Sequence, residues 1–498
     1  MLTSGDGNDA IIDFGGWNTI SAGNGDDRVS VGDGSSGASN NTVDLGAGDD
    51  SFVCNASTGS LVVDGGAGTD FATIDFSKYA AGITFILSPD VTVASAQVTV
   101  RNVERIGLVG GTGDDVFSGG SLNDGLTGGA GNDRLDGGAG DDTLTGDAGN
   151  DALRGGAGDD DIRAIGGGGP DRDVIYGGDG NDTVQAGIGD KADGGAGTDT
   201  LYLGLSQLTE GVHFDFSQPI FTVGTAMWFT GFEALEYEGG KERDRVTGGA
   251  LGDALNGNAG DDVLSGGKGD DTLRDGAGDD QLFGDEGNDL FMREDFEGSD
   301  LFDGGTGIDT LSFGDGSTSV VLDLQDQAMN KGLALGLTVR NFEVIEGSDY
   351  DDEIRGDASG NILRGLDADD VLDGRDGNDT MVGGYGDDWL TGGAGNDRFV
   401  FDEDGFDSDG DVITDFARGQ DKLVIEREAF GIVAGETAVT LVTGTDPHAT
   451  SAKGTFLFET DNGRLWFDAD GTGTGEDPLL VAILQNVKTL STGDFVLA

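Results

Sequence analysis

The 498-residue chain carries 95 acidic against 27 basic side chains, a net charge of −68, and 96 glycines, far above the usual ~7 %. Such a charge repels nucleic acid, whose partners are basic, and without counter-ions it keeps a chain expanded. One cysteine, Cys54, excludes an internal disulfide framework, and no apolar run approaches the ~18 residues of a membrane span.

The N-terminus, MLTSGDGNDA, has neither the basic nor the apolar region of a cleavable signal peptide. Residues 1–64 read as degenerate copies of one nine-residue unit: SGDGNDAII from Ser4, AGNGDDRVS from Ala22 and LGAGDDSFV from Leu45. DFGGWNTIS, between the first two, puts Asn18 at its sixth place. The chain enters a repeat almost at Met1 with no cap in view. Because solenoids cap their ends, this entry is expected to be a truncation of something longer.

A longer period begins at residue 65. GGAGTD at 65–70 and 194–199, and GGTGID at 304–309, each open a spacer of alternating β-formers such as ITFIL (83–87) or LTVRNFEVI (337–345). The spacers end alike, in NVERI (102–106), GFEAL (231–235) and NFEVI (341–345). Six nonamers in register follow each one, at 110–163, 239–292 and 347–400, giving cassettes of 99, 99 and 97 residues. The predicted divisions are 65–193 and 194–303, with extra loops at 164–193 and 293–303, and then 304–400. Residues 401–430, where DVITDFARGQDKLVI (411–425) reads as strand, turn, strand, are expected to close the solenoid. Residues 431–498 read as a β-rich tail. KGTFLFETDNGRLWFDADG (453–471) predicts a hairpin turning at Asp461-Asn462-Gly463, and VAILQNV (481–487) one more strand.

The nonamers hold the chemistry. The first run reads GGTGDDVFS, GGSLNDGLT, GGAGNDRLD, GGAGDDTLT, GDAGNDALR, GGAGDDDIR. Over all eighteen nonamers the eighth place is apolar, and the sixth is aspartate in all but one, where Asn361 stands. The first run supplies Asp115, Asp124, Asp133, Asp142, Asp151 and Asp160, and GGDGNDTVQ from Gly177 adds Asp182. The second supplies Asp244, Asp253, Asp262, Asp271, Asp280 and Asp289; the third Asp352, Asp370, Asp379, Asp388 and Asp397.

Each unit predicts a six-residue turn followed by a three-residue strand, with the eighth place pointing inward. Glycines in the turn let backbone carbonyls approach an ion, and the aspartate adds a hard oxygen ligand. Calcium takes six to eight oxygens at about 2.3–2.6 Å, more than one short turn supplies, so neighbouring turns must share each ion. Coils lie ~4.8 Å apart, where stacked carboxylates repel by roughly 1 kcal/mol per pair in water and several-fold more in a partly dry groove. A divalent cation reverses that sign, which makes folding and calcium binding one event. Turn chemistry alone explains glycine and aspartate in general, but not their strict placement. Magnesium, which prefers octahedral sites with retained water, fits less well, and the carboxylates would repel a phosphate.

The nonamers, G-G-x-G-x-D-x-U-x with U apolar, resemble those of the RTX (repeats-in-toxin) proteins over most of residues 4–400. The resemblance implies an all-β fold, a right-handed parallel β-roll or β-helix solenoid of calcium-binding nonapeptide repeats. Multiple Ca2+ ions would lie between its turns, held by the aspartates named above and by turn carbonyls, with Asn361 departing from the pattern. DRFVF (397–401) and the following DVITDFARGQDKL resemble the closing region of serralysin-type secreted proteases. The tail ending DFVLA resembles the uncleaved signal read by type I secretion machinery. Together these imply a chain exported unfolded that folds outside the cell in millimolar calcium, with affinity of ~10⁻⁴–10⁻³ M.

Catalytic motifs are missing. The two histidines, His213 and His448, stand outside any H-E-x-x-H, and neither a G-x-S-x-G elbow nor a P-loop occurs. Cys54 has no histidine near it in sequence, and Asp468-Ala469-Asp470-Gly471 opens like an EF-hand loop but has Leu479 in place of the closing glutamate. Third places carry no threonine ladder of the kind found in ice-binding RTX segments. Trp17, Trp228, Trp389 and Trp466 read as packing residues rather than a sugar site. The expected protein is non-enzymatic and secreted, a calcium-binding structural or adhesive element of cell-surface or matrix polymers. The alternative is the calcium-binding and secretion portion of a larger exported enzyme or toxin; a hydrolase with its site in the spacers lacks a motif.

Overall fold

Alternation decides the local structure. Seventh and ninth places point outward and the eighth inward, so each nonamer contributes one strand to one wall and the next nonamer a strand to the opposite wall. A full coil is therefore two nonamers, and strands pair in parallel with those 18 residues away, as Arg134 does with Ala152 and Gly125 with Thr143. The strands are longer than the predicted three residues inside the runs. Arg134–Ala139, Thr143–Ala148 and Ala152–Ala157 each continue through the third place of the next nonamer, because the glycines there still pair between coils.

The computed structural model describes residues 1–498 except 14–15, 33–39, 57–59, 165–170, 219, 222–226, 294–297, 403–409, 434 and 473–476. Parts of both expected extra loops, and of the degenerate nonamer holding Asn18, thus lie outside the described residues. The fold is an all-β solenoid of parallel strands, with single-turn helices at Gln327–Met329 and Thr492–Asp494. Among the described residues no helix is long and apolar enough to cross a membrane.

Two compact units divide the chain: Met1–Leu208 with Val212–Glu238, and Thr209–Gly211 with Gly239–Ala498. In the first, one wall stacks Leu108, Leu126, Leu144, Ile162, Val184 and Leu201 in register. The other stacks Phe117, Leu135, Leu153, Ile175, Ala192 and Phe229. All are at most 1 % exposed, a core about one side chain deep from each wall. The spacers are coils of the same solenoid: Thr84–Ile86 pairs with the first nonamer strand, and Asp90–Val93 with Val98–Arg101 forms an antiparallel excursion.

The second unit repeats the scheme through Leu273, Phe291, Leu311, Ile345, Leu363, Met381, Phe399 and Leu423. Its closure differs from expectation. Residues 411–425 add a further coil rather than the end, since Lys422–Ile425 still presents an open edge. Phe495–Leu497 covers that edge in parallel, and Leu479–Leu484 pairs with Asp411–Ile413. The predicted hairpin forms between Thr455–Glu459 and Arg464–Asp468. Phe456 meets Phe430 at 5.4 Å and Phe495 at 5.3 Å, sealing the apolar end.

Candidate metal centre

The sixth-place aspartates stand one above another, one coil apart, at the edges of the core. All eighteen named from the sequence are at most 4 % exposed. Down each run the Oδ1 atoms accept a backbone N–H from the equivalent residue one coil upstream. Asp115 donates to Asp133 and Asp124 to Asp142, both at 2.7 Å, and Asp142 to Asp160 at 2.8 Å. The other runs do the same: Asp253 to Asp271 at 2.7 Å, Asp271 to Asp289 at 2.9 Å, Asp352 to Asp370 at 2.7 Å, Asp370 to Asp388 at 2.9 Å. Asp160 extends its column to Asp182 at 2.9 Å.

The second oxygen divides the sites into two kinds. In the first two nonamers of each run, the second-place N–H bonds Oδ2 of the aspartate four residues on: Gly111 to Asp115, Gly120 to Asp124, Gly240 to Asp244, Gly249 to Asp253 and Ser348 to Asp352. In later nonamers the second residue flips to positive φ, as at Gly129, Gly138, Asp147 and Gly267. That turns its N–H away from the carboxylate. Oδ2 of Asp133, Asp142, Asp151, Asp160, Asp182, Asp262, Asp271, Asp280, Asp289, Asp370, Asp379 and Asp397 is then buried without a hydrogen-bond partner. Asn361 belongs to the bonded kind: its Oδ1 accepts the Asp357 N–H at 3.0 Å, so the one asparagine falls where no lone oxygen is left over.

The columns also hold residues that 18-residue counting missed. Asp173, Asp190, Asp199, Asp300, Asp309, Asp411 and Asp421 are buried in it, as are Asp27, Asp50 and Asp70. The steps between them are 17, 20, 22, 23 or 24 residues, because loops lengthen or shorten a coil without displacing its aspartate. The recurring spacer ends also acquire a role. Glu104, Glu233 and Glu343 accept the N–H groups of Asp70, Asp199 and Asp309 at 2.9–3.0 Å, each ending a column with a longer side chain.

Lone buried carboxylates are costly to ionise. Burial, reinforced by the carboxylates of neighbouring coils, pushes Asp142 and Asp151 up to about 7, Asp271 to about 8 and Asp370 to about 9; the single backbone N–H offsets this in part. One position has its own cation. Arg293, fully buried, places Nη1 2.5 Å from Oδ2 of Asp300 and 3.1 Å from Asp275, and its Nε donates to the Leu333 carbonyl at 2.8 Å.

Turn backbone crowds the same space. A Cβ on Gly128 would lie 2.4 Å from Oδ2 of Asp133, so this first place has no room for a side chain. Among the described residues no three carboxylate, histidine or cysteine side chains converge, so an ion here must draw on carbonyls as well as carboxylates. An unpaired hard oxygen on a glycine turn, repeated coil after coil, suits calcium better than any softer metal.

The remaining candidates stay apart from this array. His213 and His448 are exposed, and Cys54 is buried with burial raising its thiol far above the ordinary range, an inert core residue. Trp17 and Trp389 are 77 % and 50 % exposed, contrary to the packing role read from the sequence; both occupy outward positions of short strands or turns.

Fold and site together define a calcium-type β-roll. The RTX calcium-binding nonapeptide repeat matches residues 1–29, 108–126, 127–162, 168–190, 256–291, 346–381 and 373–404, so these stretches of the chain carry RTX calcium-binding repeats. No curated protein matches it. Among solved structures it is similar to the extracellular lipase LipA from Serratia marcescens, at 19 % identity and a TM-score of 0.20. That match covers 60 % of this chain and spans 45 % of the lipase, too slight a likeness to transfer fold detail or activity.

Proposed function

We propose that the protein is a secreted, non-enzymatic calcium-binding RTX protein that folds as its ions bind and acts as a structural or adhesive element at a cell surface or matrix. The observation that carries this reading is the row of buried aspartate Oδ2 atoms without partners. Calcium would be held by those oxygens and by carbonyls of the glycine turns, supplying the positive charge that the stacked carboxylates lack. The chain's own residues do the rest. Oδ1 locks each aspartate to the coil upstream, the eighth-place side chains keep water from the core, and the first-place glycines leave the carboxylate room. With calcium scarce, mutual repulsion keeps the chain open, which suits export of an unfolded chain through a type I machinery.

The test is far-UV circular dichroism of the full chain during a calcium titration, with magnesium as control. A cooperative gain of β signal near millimolar calcium, and little with magnesium, is expected. Asp142→Ala and Asp151→Ala should each shift the midpoint to higher calcium, and Asp461→Ala, in the exposed hairpin turn, should leave it in place. A chain already β-folded in chelator, or equal shifts from all three variants, would contradict the reading.

A further inference from the structure

One outer face of the first unit gathers three cations, Arg134, Arg154 and Lys191, around two aspartates, Asp136 and Asp193. It belongs to the parallel ladder that runs through Arg134–Ala139, Ala152–Ala157, Val174–Asp179, Lys191–Ala196 and Trp228–Thr230. Register places Arg134 and Lys191 in one outward row, with Ala152 and Val174 between them and Trp228 next to Lys191. Arg154 and Tyr176 are neighbours in the adjacent row. In a chain with 95 acids, Arg134, Arg154 and Lys191 are exposed and have no carboxylate within ion-pair distance among the described residues. Tyr176 is 51 % exposed between them. A hollow of about 390 Å³ lies here, lined by Arg134, Ala152, Arg154, Tyr176 and Asp193, within the size range of small-ligand sites.

The opposite wall of the same unit is unlike this. Its outward rows carry Thr127, Thr143, Thr145 and Thr183; of its arginines, Arg163 is paired with Asp161 at 2.8 Å and Arg105 lies over the Phe71 ring and donates to the Asn123 carbonyl, while Arg28 stands several coils away. What sets the first face apart is that its three cations stand within a few coils of one another, beside Tyr176 and Trp228.

We propose that this face binds an acidic polysaccharide, a chain of sugar rings bearing carboxylate or sulfate groups. The proposal rests on the reading of the protein as a surface or matrix element and names its ligand. A guanidinium grips a carboxylate or sulfate through two parallel N–H bonds, and an aromatic ring beside it offers an apolar surface to a sugar face. Both rows run along the solenoid, one strand every ~4.8 Å, so an extended polymer can lie across several coils. Charge spacing favours this occupant over nucleic acid. A duplex carries one charge per ~1.7 Å and would feel Asp136 and Asp193 on the same face, whereas a glycan spaces its charges ring by ring and offers hydroxyls to those carboxylates. Beyond a Debye length of ~8 Å the remaining acids are screened.

The test uses the full chain in saturating calcium with a fluorescent polyuronate oligosaccharide, which carries one carboxylate per ring, and with neutral dextran and duplex DNA as comparisons. The oligosaccharide is expected to bind, dextran not, and DNA at least about tenfold more weakly. Arg134→Gln with Arg154→Gln should weaken oligosaccharide binding by about tenfold or more, and Tyr176→Ala by several-fold. Circular dichroism on the same samples separates the two readings: a chain that does not fold with calcium refutes the calcium reading, not this one. A folded chain that does not bind the oligosaccharide, a double variant of unchanged affinity, or DNA bound as tightly overturns the proposal.

Discussion

Arg293 shows at a single position what the aspartate columns require. Its guanidinium lies against Asp300 where equivalent carboxylates elsewhere have no partner, and it also pairs Asp275, the one first place in the second run that is not glycine. Arg293→Gln would leave two buried carboxylates uncompensated, a loss of about 3–5 kcal/mol. Urea unfolding in saturating calcium is expected to show that loss, undiminished by more calcium, because one guanidinium nitrogen, Nη1, bridges the two carboxylates where the first place of the turn is Asp275 and not glycine. Full rescue by added calcium would show instead that an ion can take the arginine's place. Sequence reading missed this residue because it follows the last nonamer of its run, where the period that makes the other positions legible has stopped.

At the scale of the coil, glycine conformation decides which carboxylates are left bare. Gly138 has φ +111°, and a Cβ there would stand 2.3 Å from the Gly120 carbonyl one coil away. Gly138→Ala is expected to cost at least the ~1–2 kcal/mol of a left-handed residue and to raise the calcium midpoint measured by circular dichroism. Asp147, in the corresponding place at φ +66°, lies in the region that aspartate tolerates, and Asp147→Gly should change the midpoint little. Similar losses at both positions would count against the carbonyl contact as the cause. The aspartate and apolar places were readable from the sequence. The split into two kinds of turn was not, for Gly110-Gly111 and Gly128-Gly129 are the same dipeptide at the same places. What differs is the coil upstream, a spacer around Tyr79 for the first and another nonamer turn for the second.

Over the whole molecule the carboxylates make stability depend on pH with a definite sign. Asp133, Asp142, Asp271 and Asp370 are held at about 6, 7, 8 and 9, above the ordinary 3.8, so in the absence of calcium the folded form takes up protons more readily than the unfolded. That stabilisation is complete below the ordinary value and is lost as pH rises through about 6 to 9. In chelator, lowering the pH from about 9 towards 4 should therefore raise the β signal in far-UV circular dichroism. With calcium present, protons compete for the same oxygens, and the calcium midpoint should rise as pH falls below about 7. Structure gained in chelator towards alkaline pH would reverse the sign and refute burial as the source of the shifts.

The sequence by itself determined what a nine-residue period can carry: parallel coils, one inward apolar residue per strand, and a column of aspartates at the core's edge. Those follow from the strand's two-residue alternation and from the coil being two repeats long, which need no knowledge of distant residues. Only the tertiary structure decided which oxygens lack partners, how Glu104, Glu233 and Glu343 end the columns, where Arg293 stands in for an ion, and that Arg134, Arg154 and Lys191 share one face. Each of these depends on the residue lying one coil away. Loops of varying length change the sequence distance to that neighbour while leaving the coil spacing the same.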